Sequence, residues 1–212
     1  AGRRAHPPQT GCGDFVGQLL EDALADGMGC DLMLLGSGSV RAAESGPLAT
    51  LVDLLARLPF RDSLTRFAVR GSDPRRIFAH LMRPENRTGV GECYQVNAGV
   101  QAAHDEASQQ LVSLQVGHAP VEDERVYTLG LQGFHVKGSA AFLGLRFEEL
   151  AALRTPRVLS TSAQDVLEEC LRAHQSIGRQ VEERLVYRQW HPSWAGTFVL
   201  LSEPTLIRIM DA

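Results

Sequence analysis

The run from Asp31 to Leu35, with Leu32-Met33-Leu34-Leu35 uninterrupted by a polar residue, constrains this chain more than any other segment. A continuous apolar run this short reads by its length as a buried strand, and such a strand needs apolar cover from other elements. A candidate cover precedes it. Phe15, Val16, Leu19, Leu20, Ala23 and Leu24 recur at helical spacing, with Asp14 placed to cap the start and Gly27 or Gly29 to end it. The strand then runs into Gly36-Ser37-Gly38-Ser39-Val40-Arg41, so a buried element delivers a glycine-rich loop and an arginine.

Further elements follow in alternation. Leu51, Leu54, Leu55 and Leu58 continue a helical pattern opened by Thr50 and closed by Pro59. Leu64 to Val69 alternates as a strand, and Ser72-Asp73-Pro74 opens a helix whose Ile77, Phe78 and Leu81 face the core. From Glu92 to Leu131 the pattern becomes β-like, with runs at Cys93 to Asn97, Gln110 to Val116 and Arg125 to Leu131. Ser162-Ala163-Gln164-Asp165 begins another amphipathic helix through Val166, Leu167, Cys170 and Leu171, which Ile177, Val181, Leu185 and Val186 either extend or follow as a short final element. The expected class is α/β (α+β), a mixed β-sheet covered by helices. Residues 1–13, rich in Pro and Gly, read as a linker or tail, residues 14–188 as the domain, and residues 189–212, with Trp190 and Trp194, as a C-terminal extension.

Composition excludes several classes of function. The 212 residues are 44% hydrophobic and 22% charged with a formal net charge of -4, which argues against disorder and against general attraction to nucleic acid or anionic lipid. No apolar run approaches the roughly 20 residues needed to cross a bilayer, so no membrane span is expected. The basic N-terminus has no apolar segment behind it, so an intact signal peptide is not expected there. Cys12, Cys30, Cys93 and Cys170 show no C-x-x-C spacing and read as buried free thiols. The seven histidines fall in none of the H-E-x-x-H, D-x-H or G-N-H patterns, so neither a metal centre nor any other cofactor is expected in this chain. There is no G-x-S-x-G, no Walker motif and no G-x-G-x-x-G, and no catalytic residue is assigned.

The residues left with a chemical use are few. In the Gly36 to Arg41 loop, small residues let backbone N–H groups approach an anion or sugar while the arginine supplies a bidentate donor; a plain turn with a surface arginine is the competing account. Phe60, in Leu58-Pro59-Phe60-Arg61-Asp62, and Phe134, in Gln132-Gly133-Phe134-His135, sit where an element gives way to a loop. Such rings serve either as core or as stacking surfaces for a ligand.

Together these segments resemble the C-terminal, substrate-recognition domain of the 5'-nucleotidase and UDP-sugar hydrolase family. That family runs G-N-L-x-x-D-A in its first helix, then an apolar strand, N/S-G-G-G-I-R, P-F-G-N, x-L-x-G before a helix, and Y-x-x-A-x-x-x-F-x-x-x-G-G-D-G. The counterparts here are Gly17 to Ala23, Gly36 to Arg41, Pro59 to Asp62, Val69 to Gly71, and Tyr127 to Phe134 leading into Gly138-Ser139-Ala140-Ala141. The resemblance implies a domain that binds a nucleoside or nucleotide and carries its phosphate to two divalent metals in a separate N-terminal metallophosphoesterase domain, its partner, so that this chain by itself is not the hydrolase. It further implies that Phe60 and Phe134 clamp the base, that Arg41 acts from the loop of Gly36 and Gly38, and that Asp62 stands at the family's asparagine. Phe15, Gly36 and Ala140 occupy positions where the family's pattern has Arg, Asn or Ser, and Asp. These changes leave a second expectation, a non-catalytic protein-interaction module descended from such a domain.

Overall fold

The computed structural model describes residues 15–39, 48–50, 56, 58–85, 94–173, 176–179, 182–188 and 205–210. The expected buried strand is present as β1 (Leu32–Gly36), and all five of its residues are buried. Its side chains divide between two cores, as the alternation of a strand requires. Met33 and Leu35 pack with Leu20, Leu24, Met28, Leu58, Leu64 and Leu167. Leu32 and Leu34 pack with Phe67, Val69, Ile77, Phe78, Leu114, Leu129 and Leu131.

The first core lies under α1 (Phe15–Met28) and α6 (Ala163–Ala173). At the end of α1 the amides of Gly29 and Cys30 turn back to the carbonyls of Asp26 and Ala25, both at 3.0 Å, and satisfy acceptors that the helix end would leave open. Ser162 caps α6, its Oγ accepting the Asp165 N–H at 3.3 Å. The N-cap expected at Asp14 lies outside the described residues, as does most of the helix expected after Thr50; Thr50 itself ends a short strand, β2 (Leu48–Thr50).

β1 lies within a five-stranded mixed sheet of order β4-β1-β8-β3-β9, comprising β3 (Leu64–Arg70), β4 (Tyr94–Val96), β8 (Val126–Gln132) and β9 (Arg157–Ser160). β1 and β8 run parallel, with Leu34 beside Leu131; β4, β3 and β9 are each antiparallel to the neighbours they pair with. The second core is closed by α2 (Ser72–Leu81) and a four-stranded sheet of order β11-β5-β6-β7, built from β5 (Gln101–Asp105), β6 (Gln110–Val116), β7 (Ala119–Pro120) and β11 (Leu185–Arg188). Three short helices, α3 (Gly133–Lys137), α4 (Ser139–Leu143) and α5 (Phe147–Leu150), follow β8. The mixed-sheet α/β class is as expected from the sequence.

Among the strands that have no counterpart in the sequence reading are β5 and β9. β5 is built from Gln-Ala-Ala-His-Asp, which has no apolar run to mark it, and β9 is a four-residue edge whose Val158 and Leu159 remain exposed. Downstream, α6 stops at Ala173; Ile177 lies on a strand, β10 (Ser176–Arg179), and Leu185 and Val186 lie on β11, while Val181 lies outside the described residues. Within residues 189–212, β12 (Thr205–Met210) is the middle strand of a three-stranded sheet of order β10-β12-β2.

Gly71, the glycine before α2, has a packing reason. A Cβ there would run into the Glu122 carbonyl oxygen, and the Gly71 N–H donates to the Arg125 carbonyl at 2.9 Å. Any larger residue must push the β7–β8 connection away from the start of α2.

α1 also carries two buried carboxylates in opposite circumstances. Asp22 forms a bidentate ion pair with Arg184, Nη1 to Oδ1 at 2.8 Å and Nη2 to Oδ2 at 2.9 Å. The guanidinium further donates to Glu182 Oε2 at 3.0 Å and to the Val96 carbonyl at 2.7 Å, and Asp22 Oδ1 accepts the Ala98 N–H at 2.6 Å. Gln18 reinforces the joint, donating to the Glu182 carbonyl at 2.6 Å and accepting the Glu182 N–H at 3.0 Å. Glu21 is fully buried, and among the described residues neither of its oxygens reaches a hydrogen-bond partner of normal geometry. Burial, and then the charge of Asp22, push its carboxyl well above the usual carboxylate range, with Arg184 and the Leu35 amide opposing.

Arg184→Met leaves Asp22 buried without its countercharge and is expected to cost about 3–5 kcal/mol in urea denaturation, most of which the Asp22→Leu/Arg184→Met pair recovers. Glu21 works in the other direction. The folded state holds its proton more tightly than the unfolded chain does, so its contribution is complete below the unfolded pKa of about 4.3 and is lost as pH rises through the raised folded value. Glu21→Gln is therefore expected to be about 1–3 kcal/mol more stable than wild type near pH 8 and equal to it near pH 4, measured by denaturation across that range.

Candidate functional site

The polarity of the strands brings the candidate segments to one end of the five-stranded sheet. β1 and β8 are parallel, so the loop after Gly36 and the turn after Gln132 leave from their carboxyl ends side by side. β3 runs the other way, with Leu64 opposite Gln132, so the segment that precedes it, holding Phe60 and Asp62, reaches the same end. Crevices at the carboxyl ends of parallel strands are the usual ligand sites of such sheets.

Gly36 ends β1, buried and paired with Tyr94 of β4, while Gly38 is exposed within a single 3-10 turn, Ser37–Ser39. Ser39 Oγ donates to Gln132 Oε1 at 2.6 Å and ties the glycine loop to the end of β8. The Gln132 side-chain amide nitrogen is buried and has no hydrogen-bond partner among the described residues. Arg41 lies outside the described residues.

Phe60 and Phe134 are both substantially exposed, at 47% and 54%, whereas Phe67 and Phe78 are fully buried in the core. Asp62 binds backbone rather than standing free. Its Oδ2 accepts the Phe134 N–H at 2.9 Å, and its main-chain carbonyl accepts the Ala163 N–H at 2.8 Å. Beside it, the Ser63 carbonyl accepts the Gly133 N–H at 2.8 Å. Residues 62 and 63 thus satisfy open amides at the starts of both α3 and α6, a capping role supplied from across the chain. The structure brings Asp62 and Phe134 into direct contact and sets Gly36, Gly38 and Phe60 at the same end of the sheet.

Behind Phe134 lies an aromatic cluster that the sequence reading did not single out. The Phe134 ring centroid is 4.9 Å from that of Phe142 and 5.5 Å from that of His135, and His135 lies 5.3 Å from Tyr94. A Phe two turns beyond Phe134 was the available signal, but without the bend between α3 and α4 it carries no information about contact.

A separate cavity of about 480 Å³ runs along α1, lined by Leu19, Asp22, Asp26, Cys30, Asn97 and Cys170 among others. Both cysteines are half-buried and in no disulfide among the described residues, and burial pushes the Cys30 thiol up to about 12, which leaves almost no thiolate for nucleophilic chemistry at neutral pH. Among the described residues no group of three or more His, Cys, Asp or Glu is placed to hold a metal ion, and no helix is long and apolar enough to cross a membrane.

The architecture is thus a mixed-sheet α/β domain whose candidate site lies where loops meet at the carboxyl ends of two parallel strands. The chain belongs to the 5'-nucleotidase C-terminal domain family, whose model matches residues 3–145. Comparison with functionally curated proteins gives no sequence match. Among solved structures, the fold is similar to a 5'-nucleotidase precursor from Thermus thermophilus, with TM-score 0.60, 18% identity, and coverage of 81% of this chain and 35% of that one. It is also similar to the NAD nucleotidase NadN of Haemophilus influenzae, with TM-score 0.62, 15% identity, and coverage of 82% and 33%. The sulfate thiohydrolase SoxB of Thermus thermophilus, solved with glycerol, gives TM-score 0.57, 16% identity, and coverage of 89% and 33%. The chain therefore spans about a third of the length of these proteins.

Removing the Asp62 carboxylate leaves the Phe134 N–H at the start of α3 without its acceptor. Asp62→Ala is expected to cost about 0.5–2 kcal/mol and to speed hydrogen exchange at the Phe134 amide, read by NMR, while Asp62→Asn, which keeps an acceptor, loses less.

Proposed function

We propose that this chain is the substrate-recognition domain of a 5'-nucleotidase-type metallophosphoesterase, binding a nucleoside or nucleotide at the end of the sheet where the Gly36 loop, Phe60 and Phe134 gather. The observation that carries this reading is the state of Phe134. The residue is more than half exposed, yet its backbone is held by Asp62 and its ring rests on Phe142 and His135. An apolar ring kept at the surface in this way offers a face on which a base can stack. Phe60, exposed at the same end, supplies the second ring of a clamp, and Arg41 the charge for a phosphate or sugar oxygen. The family supports the reading, since this domain occurs in nucleotidases with a separate catalytic domain. In that arrangement the divalent metals and the activated water belong to the catalytic domain, and this chain binds and orients the substrate.

One observation favours the second reading, a non-catalytic interaction module. Ala140, where the family's pattern has an aspartate, is an exposed residue of α4 with no polar group to offer a sugar hydroxyl. Calorimetric titration with adenosine, AMP and a UDP-sugar, paired with ligand-observed NMR, separates the two. Saturable binding weakened roughly 5- to 150-fold by both Phe60→Ala and Phe134→Ala is expected for the clamp. Absence of binding by both methods at millimolar ligand leaves the interaction module.

A further inference from the structure

Phe134 is useful as a stacking surface only if its ring holds one orientation, and an exposed phenylalanine at the start of a five-residue helix has little intrinsic reason to do so. The structure supplies a reason on the far side of a bend. Gly138 separates α3 from α4, with its amide donating to the Phe134 carbonyl at 3.2 Å and its own carbonyl accepting the Ala141 and Phe142 amides at 3.0 Å each. This bend returns Phe142 to Phe134, with ring planes inclined at 41° and centroids 4.9 Å apart. Phe142 is half-buried against the second core and meets His135 edge-on at 5.6 Å, and His135 packs on Tyr94. The helix that carries Phe142 is tied to α2 by a hydrogen bond between His80 Nε2 and the Ala141 carbonyl at 3.0 Å.

Gly138 decides whether Phe142 can sit there. A Cβ at residue 138 would run into two atoms of the Phe142 ring, so the ring occupies the space that only glycine leaves open. We propose that Phe142, admitted by Gly138, is a positioning residue that holds the Phe134 ring in a single orientation and so presents its outer face, ready formed, to the planar ring of a ligand. The proposal rests on Phe134 being part of a ligand site and adds residues that do not touch the ligand. Its physical basis is preorganisation. Ordering a mobile aromatic side chain on binding costs affinity, and the contact with Phe142 meets that cost during folding.

The test uses the full chain with adenosine as probe, followed by NMR through the ring-current shifts of the adenine protons, with affinity taken from the same titration. Phe142→Leu, which keeps bulk but removes the ring, and Gly138→Ala, which displaces the ring, are each expected to weaken binding about 2- to 12-fold and to shrink the adenine shifts. Phe142→Tyr, which keeps the ring, is expected to restore both. If Phe134→Ala abolishes the shifts while Phe142→Leu and Gly138→Ala leave shifts and affinity unchanged, the positioning role is overturned and the ligand site stands. If wild type gives no adenosine-dependent shift, the ligand site fails and the positioning role with it. A measurement independent of variant folding is the set of three-bond side-chain couplings of Phe134 in the unliganded wild type, for which one χ1 rotamer is expected; averaging between rotamers overturns the proposal.

Discussion

Burial of β1 on both faces is the constraint from which the rest of the architecture follows. Four consecutive large apolar residues on one strand send two side chains to each side, and all four are fully removed from water. At roughly 1.5–3 kcal/mol for each side chain, leaving either face open would forfeit a large share of a typical domain's net stability. One face is therefore closed by α1 and α6, the other by α2 and the second sheet. A strand covered in this way has little freedom to shift, which makes its carboxyl end a firm place from which to extend a glycine-rich loop.

The Asp22–Arg184 ion pair joins parts of the chain that the cores alone would not hold together. It links the first helix to the segment entering β11 and, through the Val96 carbonyl and the Ala98 amide, to the end of β4. Asp22 is the acidic residue of the helix-one motif by which the sequence resembles its family, and its contacts here are structural. A motif residue can persist for packing and hydrogen bonding while the ligand chemistry rests on other residues. Glu21, its neighbour, shows the contrast: the same side-chain charge in the same helix, with no hydrogen-bonded guanidinium among the described residues, is pushed toward its neutral form by burial and by the charge of Asp22.

At the site, architecture and chemistry converge on the ends of β1, β8 and β3. The glycine loop, Asp62 and Phe134 come from segments separated by tens of residues, yet parallel and antiparallel pairing in one sheet delivers them to the same place. Asp62 illustrates how a polar residue in such a place can serve the scaffold, since its carboxylate closes the start of α3 and so fixes where Phe134 begins. Phe134 is then bounded by backbone capping on one side and by the aromatic cluster on the other.

The division between what was legible in the sequence and what was not follows from the range of the interactions. Local patterns determined the strands with continuous or alternating apolar residues, β1, β3, β6 and β8, and the helices with a clear stripe and cap, α1, α2 and α6, because periodicity and capping act within a few residues. The motif order from Gly17 to Ala141 likewise determined the family. β5 and β9 were invisible because their strand character comes from the neighbours they pair with rather than from their own composition. The capping of α3 by Asp62, the Arg184 contact to α1, and the approach of Phe142 to Phe134 through the space left by Gly138 were decided only by tertiary structure. Each is a contact between groups that the chain brings together by folding, and no local pattern of apolar and polar residues encodes the distance between them.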